Sequence, residues 1–236
     1  MRSRCLLLLP ALLALTACVI ETNRAGPVQY SSESVDMDDS ELVRVDLRMG
    51  AGDLRVTDGG AKLMRADFAY SVPAWKPAVR YSRAGKQASL IIEQPGKNHT
   101  TLVGSTKYSW DLQLNKKVPV DLAFHFGAGQ ARLDLGSLQL RGVEVDMGVG
   151  QLDMDLRGAP KHSYDVSIHG GIGEATVRVS ADAGIYAQAH GGIGEIKVRG
   201  LRQEDGHWVS PSYDSAANKV RIEIQGGIGQ VNVIAD

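Results

Sequence analysis

The sequence is poor in cysteine, and both of its cysteines lie near the N-terminus. Cys5 and Cys18 are the only 2 among 236 residues. No disulfide can therefore cross-link the chain beyond residue 18, even in an oxidising compartment. Apolar burial and strand pairing must stabilise the fold instead.

Two further absences limit the classes of function and of fold. The chain has 26 basic and 27 acidic side chains. It has no basic run that could follow a phosphate backbone, which argues against a nucleic-acid partner. Beyond the N-terminal leader, no stretch places apolar residues at spacings of three and four over three turns, so long amphipathic helices are excluded. Apolar and polar residues alternate instead, and this pattern predicts an all-β fold.

The N-terminal residues have the pattern of an export signal. Arg2 and Arg4 precede an apolar run from Leu6 to Leu15. This run is too short to be a stable membrane span. We therefore predict a signal peptide over residues 1–17.

The end of this leader resembles the lipobox of bacterial lipoproteins. The motif is Leu15-Thr16-Ala17-Cys18. The resemblance implies cleavage before Cys18, a diacylglyceryl group on its thiol, and the lipid bilayer as a partner. Val19 is not the aspartate that retains lipoproteins at the inner membrane, so the outer membrane is favoured if the cell is Gram-negative. The alternative is an ordinary signal peptide that is cut after Ala17.

Composition divides the rest of the chain into a tether and one domain. Residues 18–40 contain serines and aspartates but no sustained apolar period. We expect them to form a lipidated, flexible tether. From residue 41 onward apolar and polar residues alternate, and residues 41–236 are long enough for one domain with a substantial core.

A Gly-x-Gly corner recurs between runs of alternating residues. The six copies are Gly50-Ala51-Gly52, Gly127-Ala128-Gly129, Gly148-Val149-Gly150, Gly171-Ile172-Gly173, Gly192-Ile193-Gly194 and Gly227-Ile228-Gly229. The uninterrupted copies are about 21–23 residues apart, a spacing typical of stacked strands. Insertions interrupt the repeat at about residues 60–119 and 201–214. The first predicts irregular rungs or an antiparallel cap, and the second predicts a hairpin or a loop.

Two columns of residues become visible when the corners are aligned. The position before the first glycine holds Met49, Phe126, Met147, Gly170, Gly191 and Gly226, and the position between the glycines holds Ala51, Ala128, Val149, Ile172, Ile193 and Ile228. A large residue in one column accompanies a small residue in the other. Because a packed core tolerates neither voids nor overlaps, we expect both columns to face the core.

The alternation shifts phase by one residue at each corner. Such a shift turns the later side chains to the opposite face unless the chain bends, and glycine adopts the required positive φ at little cost. We therefore predict aligned bends at the second glycine of every corner. These residues are Gly52, Gly129, Gly150, Gly173, Gly194 and Gly229.

The repeats resemble the toast-rack family of bacterial envelope domains. The resemblance covers nearly all of residues 42–235 and is carried by Gly-Ala-Gly-Asp-Leu-Arg-Val at residues 50–56, the later Gly-Gly-Ile-Gly copies, Trp-Lys-Pro at 75–77, Trp-Asp-Leu-Gln-Leu-Asn at 110–115 and Val-Pro-Val-Asp-Leu at 118–122. It implies a fold similar to a single-stranded, right-handed β-helix. Related modules occur in envelope-stress membrane proteins of the Lia and phage-shock types and in candidate adhesins, and the family brings no catalytic residues and no cofactor. The resemblance thus implies a non-catalytic structural, adhesive or stress-sensing module with an envelope partner.

Glycine-rich corners also occur in nucleotide and calcium sites, but neither pattern is complete here. A dinucleotide fingerprint needs a third glycine three positions after the second, followed by a helix, and these corners have neither. A calcium-binding nonapeptide repeat needs an aspartate two positions after its last glycine. The Gly-Gly-Ile-Gly copies have Ala175, Ile196 and Val231 there.

Polar residues form two columns that we expect to face outward. Two positions before the first glycine stand Arg48, His125, Asp146, His169, His190 and Gln225, and directly after the second glycine stand Asp53, Gln130, Gln151, Glu174, Glu195 and Gln230. With neighbouring rungs about 4.8 Å apart, the histidines and the aspartate of the first column could converge on a transition metal, and the glutamates of the second could add carboxylates. This candidate ladder comprises His125, Asp146, His169, His190, Glu174 and Glu195. A metal-binding, carbohydrate-binding or carbohydrate-active site is the alternative function, and a solvated polar face is the simpler explanation.

Overall fold

The protein is built almost entirely from β-strands, as predicted. The computed structural model describes residues 25–96 and 106–236. The predicted leader, Cys18 and the start of the predicted tether lie outside these residues. The strands are β1 (Gln29–Val35), β2 (Leu42–Asp58), β3 (Met64–Tyr70), β4 (Ala78–Ala84), β5 (Gln87–Glu93), β6 (Tyr108–Leu114), β7 (Pro119–Asp134), β8 (Gln139–Asp155), β9 (Tyr164–Val179), β10 (Gly184–Arg199), β11 (Arg202–Glu204), β12 (His207–Val209) and β13 (Lys219–Ala235), with a 3₁₀ helix at Pro73–Trp75. In the described part of the chain, no helix has the length and apolar character needed to cross a bilayer.

Six long strands form a parallel stack at the centre of the molecule. They follow the order β2, β7, β8, β9, β13, β10, and their corners are in register. Each of these strands has 16 or 17 residues and one corner, and is termed a rung here. The residues before the corner form its first arm and those after the corner form its second arm. The predicted β-helix-like stack is thereby confirmed.

At the N-terminal end, the position next to β2 is shared by two short strands. β5 is parallel to the first arm of β2, and β6 is parallel to its second arm. β4 pairs antiparallel with β5, while β3 and then β1 continue antiparallel beyond β6. The first insertion therefore supplies both an irregular rung and an antiparallel cap, the two arrangements that its sequence leaves open.

The prediction of a flexible tether is wrong for residues 29–35. These residues form β1, whose register runs from Gln29 opposite Tyr70 to Val35 opposite Met64. Most of the β1 side chains are exposed because the strand lies at the edge of the sheet. Backbone hydrogen bonds are enough to hold such an edge strand, so it needs no apolar face and shows no apolar alternation in the sequence.

At the opposite end, the rungs do not follow the order of the chain. The C-terminal strand β13 lies between β9 and β10 and is parallel to both. The second insertion forms the hairpin β11–β12, with left-handed backbone at Asp205 and Gly206 in its turn. Strand β12 pairs with β10 at Tyr186 and Ala187. β10 is therefore the terminal rung of the stack.

The core lies between the two arms of the rungs. In β2, β7 and β8 the inward residues before the corner are Met49, Phe126 and Met147, each at most 7% exposed. The residues two and four positions after the second glycine also face inward. They are buried in every rung except β10, where Ile196 and Val198 are only partly buried.

Aromatic side chains fill the cap at the N-terminal end. Trp110 is 1% exposed and packs edge-on against Phe68 and Tyr108. The Tyr108 hydroxyl donates a 2.8 Å hydrogen bond to the carbonyl oxygen of Trp75. Burial raises the pKa of this hydroxyl well above its usual range. These rings stabilise the cap by burial and edge-to-face packing.

The prediction that the residue between the two glycines faces the core is wrong. Val149, Ile172 and Ile228 are 50–52% exposed, and Ile193 is 71% exposed. In the last three rungs, glycine occupies the preceding inward position and leaves an apolar groove that opens to solvent. We term it the corner groove; it is bordered by Gly170, Ile172, Gly191, Ile193, Gly226 and Ile228. The isoleucines between the corner glycines thus border the space that the preceding glycines leave open, but they do not fill it.

Candidate functional site

The outward column of the first arms places polar side chains side by side across the stack. In spatial order it comprises Arg48, His125, Asp146, His169, Gln225 and His190. Because β13 is inserted before β10, Gln225 separates the last two histidines. The expected convergence of His190 with the other members is therefore wrong, since it lies two rungs, or about 10 Å, from His169.

Three members of this column are in direct contact. His125 Nδ1 lies 3.0 Å from Asp146 Oδ2, and His169 Nδ1 lies 3.4 Å from Asp146 Oδ1. The three side chains are 41–47% exposed, so solvent screens the electrostatic interactions between them. Opposite charges paired across strands typically contribute about 0.2–1 kcal/mol, and exposed pairs lie at the lower end of this range.

Asp46 extends this cluster and is not identified by the corner alignment. Its carboxylate accepts hydrogen bonds of 2.9 and 2.5 Å from the Arg48 guanidinium and lies 3.8 Å from His125 Nε2. Hydrogen bonding to Asp46 raises the pKa of Arg48. Asp46 is two positions before Arg48, so both share one face of the strand, and that spacing is the sequence signal for the pair. We term Asp46, Arg48, His125, Asp146 and His169 the polar ladder.

The two glutamates expected to join this site lie on the second arms and are not neighbours. Gln230 separates Glu174 from Glu195 in the stack. The amide nitrogen of Asn232 donates to Glu174 at 3.2 Å, and Lys197 Nζ lies 2.8 Å from Glu195. Within residues 25–96 and 106–236, no group of three or more His, Cys, Asp or Glu side chains is placed to hold a metal ion.

Four members of the polar ladder, all except Asp46, line a broad, shallow groove beside the corners. Gln94 lies at one end of this groove, where its side-chain oxygen accepts a 2.9 Å hydrogen bond from the Gly50 amide. Along the groove, Arg48 and His125 on the first two rungs are followed by Asp146 and then by His169 on the next two. This arrangement can contact a polar or charged surface through several groups at once, while each group keeps a partner within the protein.

A smaller cluster lies beside the terminal rung, and the chain segments that form it are distant in sequence. The ring of Tyr186 stacks on His207 with 4.7 Å between ring centroids, and the Arg221 guanidinium lies 4.8 Å from the Tyr186 centroid. The hairpin supplies the histidine and β13 supplies the arginine. The pairing of β10 with both β12 and β13 therefore creates this cluster.

Two family models match the chain. The model of the N-terminal domain of toast_rack matches residues 24–178. The model of the C-terminal domain of LiaF, described as a cell wall-active antibiotics response protein, matches residues 126–233. No curated protein sequence matches the chain at a significant level.

Solved structures extend the comparison to the fold. A candidate cell-adhesion protein from Clostridium sporogenes aligns with 29% identity and a TM-score of 0.84, over 89% of this chain and 100% of its own. A candidate adhesin from Bacteroides fragilis aligns over 89% of this chain and 99% of its own, with 8% identity and a TM-score of 0.32. The second similarity is too low to support an argument. The first shows that the fold of most of this chain has a counterpart in another protein.

Proposed function

The chain belongs to the toast-rack family, and from this premise we propose that it is a lipid-anchored interaction module of the bacterial cell envelope. In this proposal the acylated Cys18 holds the protein at a membrane, and the stack acts without catalysis by contacting an envelope partner. The outer membrane is the proposed site if the cell is Gram-negative, because Val19 follows the cysteine.

The families support an envelope location. One matching model describes a cell wall-active antibiotics response protein, and the similar Clostridium structure is that of a candidate cell-adhesion protein. The export signal and the lipobox-like Leu15-Thr16-Ala17-Cys18 agree with this location. Three acyl chains on one cysteine would exceed the two signals that stable membrane anchoring requires.

The polar ladder is the observation that carries the interaction role. Most of its side chains are about half exposed, and they lie on four adjacent parallel rungs that present both acidic and basic groups. The rungs hold them in register, so a partner meets a rigid row of groups at about 4.8 Å spacing. Such a row favours contacts with a surface of complementary charge, and its side chains need little reorganisation on binding.

Site-specific photo-crosslinking in intact cells tests this role. A photoreactive residue in place of His169, within the ladder, should capture an envelope component. The matched control is Tyr30, which is 79% exposed and lies on the edge strand of the cap. Equal capture from the two positions, or no capture from His169, would refute the ladder as the contact surface.

A further inference from the structure

The terminal rung β10 has a long free edge. One side of β10 pairs with β13 from Gly184 to Arg199. On its other side, β12 is the one strand among the described residues that pairs with β10, and it does so at Tyr186 and Ala187. Residues 188–199 are extended and contain no proline, one of the devices that protect exposed strand edges. This segment is therefore able to pair with a further strand.

Apolar surface is exposed along the same edge. Ile193 is 71% exposed, the largest exposed fraction among the isoleucines of the corner groove. Ile196 and Val198 are only partly buried, whereas the corresponding residues of the neighbouring rung, Val231 and Val233, are buried. Beyond the part of β10 that the hairpin covers, the core thus ends at β10 without a covering layer. A strand that continued the stack would bury these side chains.

We propose that a second copy of this chain covers the edge, through antiparallel pairing of β10 with β10 about a two-fold axis at the corner. A bent rung has two arms, and rotation about a two-fold axis that passes through the corner places the second arm of one copy against the first arm of the other. The rotated rung therefore continues the bent stack. The inward side chains nearest to the corner are Ala189 on the first arm and Ile196 on the second. The register that keeps both facing the core places Ala189 opposite Ile196 of the second copy.

The same register matches the outward side chains. It places His190 opposite Glu195 and Gln188 opposite Lys197, so no two like charges face each other. Each of these pairs occurs twice because the interface is two-fold symmetric. The imidazole of His190 can hydrogen-bond to the Glu195 carboxylate, whereas like charges across antiparallel strands would oppose the pairing. This charge pattern favours a second copy over a strand of unrelated sequence.

The length of the free edge also fits this pairing. In this register residues 188–197 of one copy lie opposite residues 197–188 of the other. Ala187, the next residue, is already paired with Trp208 of β12. The new strand pair would therefore end where the hairpin begins. A two-fold contact of this kind closes on itself and yields a dimer instead of a fibre. The inference concerns a surface distinct from the polar ladder and does not depend on the lipid anchor.

Disulfide trapping of the full-length chain tests the register. The double variant Gln188→Cys with Lys197→Cys should form a covalent dimer under mild oxidation, because opposed residues in antiparallel strands lie within disulfide distance. Glu144→Cys with Asp153→Cys is the matched control, since these positions occupy the same two columns on the internal rung β8. Wild type and the single variants give the background from Cys5 and Cys18.

The expected result is a reducible dimer in the first double variant at well above the background level. A dimer yield no greater than that of the single variants or the control, in protein whose circular dichroism is native, would overturn the proposal. A series of covalent oligomers larger than the dimer would contradict the two-fold closure. Trapping of a different protein at these positions would show that a foreign strand occupies the edge.

A charge exchange provides a second readout. His190→Glu would place a carboxylate opposite Glu195 at both symmetry-related positions of the dimer. This variant should weaken self-association about three- to thirtyfold. Sedimentation equilibrium of the detergent-solubilised chain measures the change. Adding Glu195→Lys should restore self-association. Both side chains are exposed, so the fold should tolerate the changes. Failure of the double variant to recover association, with the native fold intact, would overturn the register.

Discussion

Gly173 lies directly opposite Gly150 of the neighbouring rung, and the Gly150 carbonyl oxygen occupies the space that a Cβ of Gly173 would need. The φ angle of Gly173 is +150°, a conformation that other residues rarely adopt. The second glycines of all six corners combine a positive φ with a carbonyl oxygen of an adjacent strand in the space that a Cβ would need, and in Gly52 this oxygen belongs to Tyr108. The rungs can therefore approach and bend together at the corner only if these positions lack a side chain.

Gly173→Ala should lower the free energy of unfolding by about 2–4 kcal/mol, because it adds backbone strain to a steric overlap with the next rung. Chemical denaturation followed by circular dichroism measures this change. Gly170→Ala, three residues earlier in the same rung, is the matched control. An added Cβ there meets no atom within 4 Å. This control should change stability by no more than about 1 kcal/mol, and equal losses in the two variants would contradict the proposed role of the corner.

The two columns at the corner should differ in their contribution to stability. Phe126 is 4% exposed, whereas Ile228 is 50% exposed. Phe126→Ala should cost about 3–5 kcal/mol through lost burial and a cavity. Ile228→Ala should cost about 1 kcal/mol or less, because half of its surface is already in water. A comparable loss at both positions would show that the middle column belongs to the core after all.

The segment between β1 and β2 should contribute stability that is lost in acid. Hydrogen bonds from Ser40 and from the Tyr81 hydroxyl lower the pKa of Asp38 from 3.8 to about 2. Because the folded-state pKa is depressed, this contribution is complete above about pH 4 and is lost as the pH falls through about 2. The Tyr81 hydroxyl donates to Asp38 at 2.6 Å, so Tyr81→Phe should raise the pKa of Asp38 toward 3.8.

Carboxyl-carbon NMR titration of Asp38 measures this shift directly. Tyr30→Phe is the control, because Tyr30 is 79% exposed. It should leave the titration of Asp38 unchanged. An Asp38 pKa that is the same in Tyr81→Phe and in the wild type would contradict the hydrogen-bond origin of the shift.

The polar ladder should not retain a transition metal. Its histidines and aspartates approach one another only as pairs across rungs, which are Asp46 with His125, His125 with Asp146, and Asp146 with His169. Elemental analysis of full-length protein purified without chelators should therefore give well below one metal ion per chain. One equivalent of zinc, nickel or copper that is lost in Asp146→Ala would contradict this expectation and restore the metal-binding alternative.

The corners and the second-arm core can be predicted from the sequence because local geometry determines both. A shift in the two-residue period requires a bend, and only glycine fits a bend that also contacts the next rung. Leu152 and Met154 illustrate the result, since both follow Gly150 at the expected spacing and are fully buried. The same reasoning fails for Ile172, because the mouth of a groove and a packed interior both favour an apolar residue.

The order of the rungs cannot be predicted from the repeat. β9, β10 and β13 carry the same Gly-Gly-Ile-Gly corner, so any of them fits either neighbouring position. The position of β13 depends on the path by which the chain returns from the hairpin, and this is a long-range property. It separates His169 from His190 and Glu174 from Glu195, which is why the candidate site only partly assembles.

Fatty-acid labelling at Cys18 tests the proposed membrane-anchored role most directly. Cells that express the full-length chain are supplied with a clickable palmitate analogue, and the protein is compared with Cys18→Ser and with the control Cys5→Ser. The account predicts that wild type and Cys5→Ser carry the label and sediment with membranes, whereas Cys18→Ser loses both properties. Unlabelled wild-type protein, or label that persists in Cys18→Ser, would contradict it.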